Sequence, residues 1–366
     1  MLFFIRSYIP DFDGKIQKYF NVLDTLEVSY RFIGWDRIGE SKKNEKNILF
    51  KKKGYIGGGL KNFFNLILWN IFIFITLCKH HKKINIVQAI DLDTAFTAFI
   101  FCKIFSKKMI FDIYDKYTDT HGINGKFKKI LDKTENYLIK QSDLCILADE
   151  IRKKQHGVDS KNIIIIENVP RDTNLPNLNS DIQDNTKIKI GYFGVLEKKN
   201  RGIEHLVNSI AERNNLELHI IGYGPLADFI SNQSNKNIIF YGSASLREGL
   251  SIMSKMDIIV GMYYKDILNH LYAAPNKYYE HLMLGKAFLT TKDIPPGIKT
   301  EKFNTGWSIP EGADSLNDFF DSLVNKELIK IKSINAKNLW ENYYKNYYEN
   351  VYLNSYGKII KNLNLS

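Results

Sequence analysis

Ile188-Lys189-Ile190-Gly191-Tyr192-Phe193-Gly194 is a short apolar, β-branched run that ends in glycine. It reads as a buried strand whose end lets another group approach the backbone closely. Lys198, Lys199, Arg201 and Gly202 follow, and a helical pattern starts at Ile203. Leu216–Ile221 repeats the plan: an apolar run, then Gly222-Tyr223-Gly224-Pro225, then a helical stretch. A strand, a glycine turn carrying cations and a helix start suit a diphosphate, because free helix-end amides and cations both favour anionic oxygens.

Working outward, the same alternation covers most of the chain. Strands are predicted in the first half at Leu2–Ile5, Val28–Ile33, Ile48–Phe50, Ile84–Ile90, Lys108–Asp112, Leu144–Leu147 and Ile163–Ile166. In the second half they are predicted at Ile188–Phe193, Leu216–Ile221, Ile238–Tyr241, Ile258–Met262, Ala287–Thr290 and Gly306–Ile309. Strand–helix–strand alternation implies parallel sheets covered on both faces. The chain has 366 residues, which exceeds one ordinary core. Arg171–Thr186, rich in Asn, Asp, Pro and Ser, is the natural linker. The expectation is therefore an α/β protein of two Rossmann-like, doubly wound domains facing each other across a cleft. They span residues 1–175 and 187–330, and a helical tail, 331–366, is free to pack back on the first domain.

Charge separates the halves. Residues 1–175 carry 29 basic and 20 acidic side chains, against 22 and 20 in the remainder. The first half therefore favours an anionic partner: nucleic acid, an anionic membrane or a phosphorylated substrate. The basic residues do not interleave with aromatics as a nucleic-acid surface would, so no nucleic-acid partner is expected. Phe63–Cys78 is apolar but too short to span a bilayer, and is interrupted by Asn65, Asn70 and Thr76. It reads as a core helix, with a helix that also dips into a membrane interface as the other reading. Lys51–Lys53, Lys61, Lys79, Lys82 and Lys83 flank it. Cys78, Cys102 and Cys145 are scattered in apolar runs, as buried thiols in a reducing compartment would be. The short apolar start reads as no signal peptide, which places the protein in the cytoplasm.

The most informative stretch is Ala273-Ala274-Pro275-Asn276-Lys277-Tyr278-Tyr279-Glu280, continuing to Gly285-Lys286. Pro275 suits the first turn of a helix whose free amides near Ala274 bind phosphate oxygens. Lys277 adds a cation. Glu280, one turn further in, can accept both hydroxyls of a ribose. Gly285 ends the helix.

With Gly194, Arg201-Gly202, Gly222-Tyr223-Gly224-Pro225 and Tyr241-Gly242 in the same order, this block resembles the retaining GT-B glycosyltransferases of the large bacterial group 1 family. Gly34-Trp35-Asp36-Arg37, Ala89–Thr94, Asp112-Ile113-Tyr114-Asp115 and Asn168-Val169-Pro170 extend the resemblance to members that build capsule or O-antigen polysaccharides. It implies a nucleotide-sugar donor held by Gly194, Arg201, Gly222, Tyr223, Gly224, Ala274, Pro275, Asn276, Lys277 and Glu280. Arg201 matches the cation that holds the diphosphate, and Glu280 the ribose carboxylate. Two positions depart from the family pattern. Tyr272 stands where the first Glu of a Glu–seven residues–Glu pattern is usual, and Val195 and Leu196 stand where an Arg often follows the first glycine turn. Diphosphate binding then leans on Arg201, with Lys198, Lys199 or Lys277.

The implied reaction retains the anomeric configuration. Arg201 and Lys277 stabilise the leaving diphosphate, and Asp115 faces the sugar from the opposite wall, with Asp119 and His121 nearby. Asp13 and Gly14, after the first strand, face the acceptor, a glycan carried on a lipid. An anionic membrane surface is the third expected partner. Asp91 and Asp93 have Asp-x-Asp spacing but follow an acceptor-domain strand, so no metal and no cofactor are expected. Two other readings are a sugar-nucleotide 2-epimerase on the same fold and a non-catalytic basic binding protein.

Overall fold

The computed structural model describes residues 1–39, 41, 44–54, 59–171, 187–323 and 326–365, and only the backbone of 12, 59–63 and 365. Residues 172–186 of the expected linker, and the side chains of Lys61 and Phe63, therefore lie outside the described residues. The chain divides into two compact units, Met1–Glu167 with Tyr348–Ser366, and Asn168–Tyr347.

The first unit holds a seven-stranded parallel sheet in the order β3-β2-β1-β4-β5-β6-β7. Its strands are β1 (Leu2–Arg6), β2 (Tyr30–Asp36), β3 (Asn47–Lys51), β4 (Ile86–Ile90), β5 (Lys108–Ile113), β6 (Leu144–Leu147) and β7 (Ile163–Ile165). Residues along β1 alternate between its two faces. Phe3 and Ile5 join a core with Trp69, Ile73, Leu77, Phe101 and Leu138. Phe4 instead meets Tyr19 and Phe20 of helix Gly14–Thr25. Helices Gly59–His80, Leu92–Ile104 and Gly125–Gln141 thus cover one face, and helix Gly14–Thr25 the other. Right-handed crossovers require this split, because the strand order runs one way from β1 to β3 and the other way from β4 to β7.

The second unit holds a six-stranded parallel sheet, β10-β9-β8-β11-β12-β13. Its strands are β8 (Ile188–Phe193), β9 (Leu216–Ile221), β10 (Ile238–Phe240), β11 (Ile258–Gly261), β12 (Ala287–Thr291) and β13 (Gly306–Ile309). All thirteen expected strands are present, with ends moved by two residues at most outside β2. β2 moves furthest: it starts at Tyr30 and runs on through Gly34-Trp35-Asp36.

The chain end crosses between units. Residues up to Tyr347 belong to the second unit, whereas the π-helical Tyr348–Tyr356 and helix Gly357–Leu365 belong to the first. Tyr352 and Tyr356 lie 5.5 and 4.7 Å from Tyr19, ring to ring. Tyr356 donates to Gln88 Oε1 at 2.6 Å. Gln88 donates in turn to Asp112, which is fully buried and also receives Lys15 at 3.0 Å and Tyr19 at 2.8 Å. A buried carboxylate needs such partners, so this network fixes the tail on the sheet.

Candidate functional site

In open parallel sheets, ligands bind beyond the carboxyl ends of the strands, where the strand order reverses. In the second unit that point lies between β8 and β11. Register pairs Phe193 with Ile221, so the turns after β8 and β9 start side by side. They are laced by backbone hydrogen bonds: Gly194 N–H to Ile221 at 2.9 Å, Leu196 N–H to Tyr223 at 2.8 Å, and Gly222 N–H to Gly242 at 2.9 Å. A β-carbon on Gly222 would lie 1.9 Å from the Gly194 carbonyl oxygen, and one on Gly224 2.8 Å from that of Leu196. Only glycine permits this approach. The two glycine turns that look separate in the sequence therefore interlock backbone to backbone, with Gly222 buried and Gly194 and Gly224 half-buried.

Two cations lie close by, Lys277 against Gly194 and Arg201 over the ring of Tyr263. Arg201 lies 4.6 Å from the ring centre of Tyr263 and reaches Glu197 at 3.4 Å. Lys277 Nζ lies 3.8 Å from the ring centre of Tyr192, close against Gly194. Lys277 sits in the first turn of helix Asn276–Leu284, which has no side-chain cap. Pro275 is the residue before that helix, in extended conformation, rather than its first turn. Burial, and then the neighbouring Arg201, push the Lys277 ammonium down to about 7, with Glu280 and Glu197 opposing. Glu280 is buried one turn along, and Gly285 ends the helix in the left-handed conformation. Asn168 donates to the Ala274 carbonyl at 2.8 Å, holding the segment before the helix. Asn168-Val169-Pro170 thus belongs to this unit, not to the first.

Lys277 therefore stands beside Gly194, near the place where the family pattern has an Arg and this chain has Val195. Tyr223 is exposed at the rim. Tyr192, Tyr263 and Glu197 belong to the constellation but were not singled out from the sequence. Tyr192 was visible as an aromatic at a glycine-flanked strand end. Tyr272 ends a short 3-10 turn, Leu268–Tyr272, just ahead of Ala273.

In the first unit, the same topological point lies between β1 and β4. A cavity of about 270 Å³ is lined there by Arg6, Arg37, Asp91, Asp93, Asp115 and His121, among others. Asp91 holds φ 63°, a left-handed conformation that a non-glycine residue adopts at a cost, and accepts from Tyr114 N–H at 2.9 Å. Burial pushes the Asp91 carboxyl up to about 7 and also raises Asp93. Asp115 is ion-paired with Arg152 at 2.8 Å. Asp13, expected on the acceptor side, is engaged within its own unit. It is buried, caps helix Gly14–Thr25 through the amides of Lys15 and Ile16, and pairs with Arg6. Gly14 is exposed beside it. Asp119 is held by Lys128, and His121 stacks on Tyr117 at 4.2 Å. Among the described residues, no cluster of three or more His, Cys, Asp or Glu converges to hold a metal ion. Cys102 and Cys145 are buried and Cys78 partly so, all three as free thiols.

No protein-family model matches the sequence, and no curated protein matches it. Solved structures do match, over essentially the whole chain. Sucrose-phosphate synthase from Thermosynechococcus elongatus is 12% identical with a TM-score of 0.73, covering 99% of this chain and 98% of that one. Anabaena Alr3699/HepE, in complex with UDP and glucose, is 12% identical with a TM-score of 0.70, covering 100% and 99%. A putative UDP-N-acetylglucosamine 2-epimerase from Listeria monocytogenes is 13% identical with a TM-score of 0.62, covering 99% and 96%. The fold is GT-B: two Rossmann-like domains built on parallel sheets.

Proposed function

We propose that the chain is a retaining glycosyltransferase that moves a sugar from a nucleotide-sugar donor to a glycan on a lipid carrier, in surface polysaccharide biosynthesis. The observation that carries this reading is the laced glycine turns of Gly194, Gly222 and Gly224, with Lys277 against Gly194 and Arg201 neighbouring Lys277. Close-approach glycine turns and two neighbouring cations suit a nucleoside diphosphate, and Glu280 suits its ribose diol. HepE, of the same fold, was solved with UDP and glucose.

The proposed reaction breaks the bond between the anomeric carbon and the diphosphate oxygen. The electron pair stays on the phosphate, whose negative charge grows. Arg201, Lys277 and the uncapped start of helix Asn276–Leu284 oppose that charge; loss of one such donor typically lowers turnover by about 10²–10³. The acceptor hydroxyl attacks on the face the diphosphate leaves, and its proton passes to a leaving phosphate oxygen. This scheme uses no metal, no cofactor and no protein base. Asp115 and the carboxylates of the first-unit cavity, Asp91 and Asp93, are proposed to meet the acceptor. A lipid-carried acceptor and the basic first unit support a position on the cytoplasmic side of an anionic membrane, as a peripheral protein. No helix among the described residues is long and apolar enough to cross a membrane.

The test is to incubate the purified chain with UDP-, GDP- and ADP-sugars, with and without a lipid-linked glycan extract, and to follow nucleoside diphosphate and product anomer by NMR. Acceptor-dependent release with retained configuration is expected. Acceptor-independent inversion at C2 of the donor sugar would make the chain an epimerase instead. An inverted anomer in the product would overturn the retaining mechanism.

A further inference from the structure

Helix Gly59–His80 presents two faces. Trp69, Ile73 and Leu77 are fully buried on the sheet, whereas Phe64, Ile67, Leu68, Ile71 and Ile75 are exposed. The exposed positions recur at helical spacing, so the outer face is an apolar stripe where a water-facing helix carries polar residues. Phe63–Cys78 is thus a core helix on one side only.

Its neighbours continue the pattern. Helix Leu92–Ile104 exposes Phe96, Ile100 and Ile104, and helix Gly125–Gln141 exposes Phe127, Ile130 and Tyr137. The three helices lie side by side on one face of the sheet. Asn70 and Thr97 join the first two through a 2.6 Å hydrogen bond, and Phe99 meets Tyr137 edge-on at 5.7 Å between the second and third.

Charge is as one-sided as hydrophobicity. Among their described residues, every exposed charged side chain of the three helices is a lysine: Lys79, Lys103, Lys126, Lys129, Lys133 and Lys140. Exposed Lys51–Lys53 adjoin the first helix, since Asn65 donates to the Lys53 carbonyl, and exposed Lys82 and Lys83 follow it. The opposite face of the same sheet is the control. Helix Gly14–Thr25 exposes only Gly14, Gln17, Asn21, Asp24 and Thr25.

We infer that the outer face of these three helices is the surface by which the protein docks on an anionic lipid bilayer, lying in the plane of the interface. The inference rests on the membrane placement proposed above and extends it from one helix to a three-helix platform. Apolar side chains on helices with no exposed acidic residue among those described, ringed by lysines, match acyl chains below and anionic headgroups around them. Such an apolar expanse exceeds the scattered exposure usual on monomers. Each lysine near an anionic surface adds attraction that salt screens within a Debye length.

The experiment is co-sedimentation of the full chain with vesicles of phosphatidylcholine alone or with phosphatidylglycerol, at low and high salt. Four chains are compared: the natural one, Ile75→Glu with Ile104→Glu, Lys126→Gln with Lys129→Gln and Lys133→Gln, and Gln17→Glu with Asn21→Glu as the opposite-face control. All substituted positions are exposed, so folding is preserved, and thermal melting checks it. Pelleting with anionic vesicles is expected, reduced by salt, weakened at least about tenfold by the first two variants and unchanged in the control. No pelleting at low salt, equal weakening by the control, or a self-association that Ile75→Glu abolishes would each overturn the inference; the last would make the face a dimer interface. Vesicle binding is read without donor or acceptor, so its failure is separable from a failure of glycosyl transfer.

Discussion

The carboxyl end of the second unit's sheet and that of the first solve one geometric problem with opposite materials. Both sit where a parallel sheet reverses strand order. In the second unit the turns after β8 and β9 are glycine, knitted backbone to backbone, with Arg201 and Lys277 held over tyrosine rings. In the first, the turns carry side chains already committed to one another: Arg6 with Asp13, Asp115 with Arg152, Asp119 with Lys128. A ligand that lies against glycine backbone and two neighbouring cations, one of them only loosely paired with Glu197 at 3.4 Å, suits the former. A ligand that must exchange hydrogen bonds with paired side chains suits the latter. The difference is what the proposed division into donor and acceptor ends rests on.

The sharpest way to break the contrast is to give the second unit a side chain where it has none. Gly222→Val places carbon against the Gly194 carbonyl, and the backbone there has no room to yield. A loss of about 3 kcal/mol in stability is expected, together with all nucleoside diphosphate binding. Denaturant unfolding checks the first and calorimetry the second; a stability within about 1 kcal/mol of the natural chain would deny that the turns interlock.

Next in size is the pH dependence of donor binding. Free Lys277 titrates at about 7 because it is buried beside Arg201. A bound diphosphate favours its charged form, so above pH 7 binding must take up a proton. Donor affinity should therefore fall as pH rises from 7 towards 9, by up to about tenfold per unit. Lys277→Met should bind weakly with a flat profile across that range. Calorimetry in buffers of differing ionisation enthalpy measures the uptake directly, and zero uptake at pH 8.5 in the natural chain would remove Lys277 from the diphosphate site.

Smallest is the effect of the first unit on the donor. Asp115→Asn breaks the pair with Arg152 but leaves the glycine turns untouched. Donor affinity should stay within about twofold while turnover on acceptor falls. A large loss of donor affinity in this variant would erase the division of labour.

The sequence carried the strands because each is a short β-branched run between turn residues, and fully buried parallel strands show little else. The glycine turns and Pro275–Glu280 were likewise readable. That Lys277 reaches Tyr192 is not, because one lies on a helix and the other on a strand far away in sequence, and only the pairing of β11 with β8 and the placement of the helix beyond β11 bring them together. Asp13 carried a signal that pointed the other way: an Asp-Gly-Lys start before an apolar helix is an N-cap signature, and capping is its observed role. The tail is legible as helical and free to pack back on the first domain, but helical periodicity does not say where it changes units, which is at Tyr348 and not at residue 331. The acid-free outer face of three helices was invisible for a similar reason, since exposure depends on which side each helix buries.

Glu280 tests the account most directly, because it is the one carboxylate assigned to a ligand in the glycine-built end. Calorimetric titration with UDP, GDP and ADP should find one nucleoside diphosphate that binds the natural chain. Glu280→Gln should bind it about ten- to a hundredfold more weakly, as loss of a charged acceptor of about 1.5–3 kcal/mol predicts, with unchanged melting when no ligand is present. Equal affinity in the two chains, or no binding of any of the three nucleotides to the natural one, would contradict the assignment of this end to the donor.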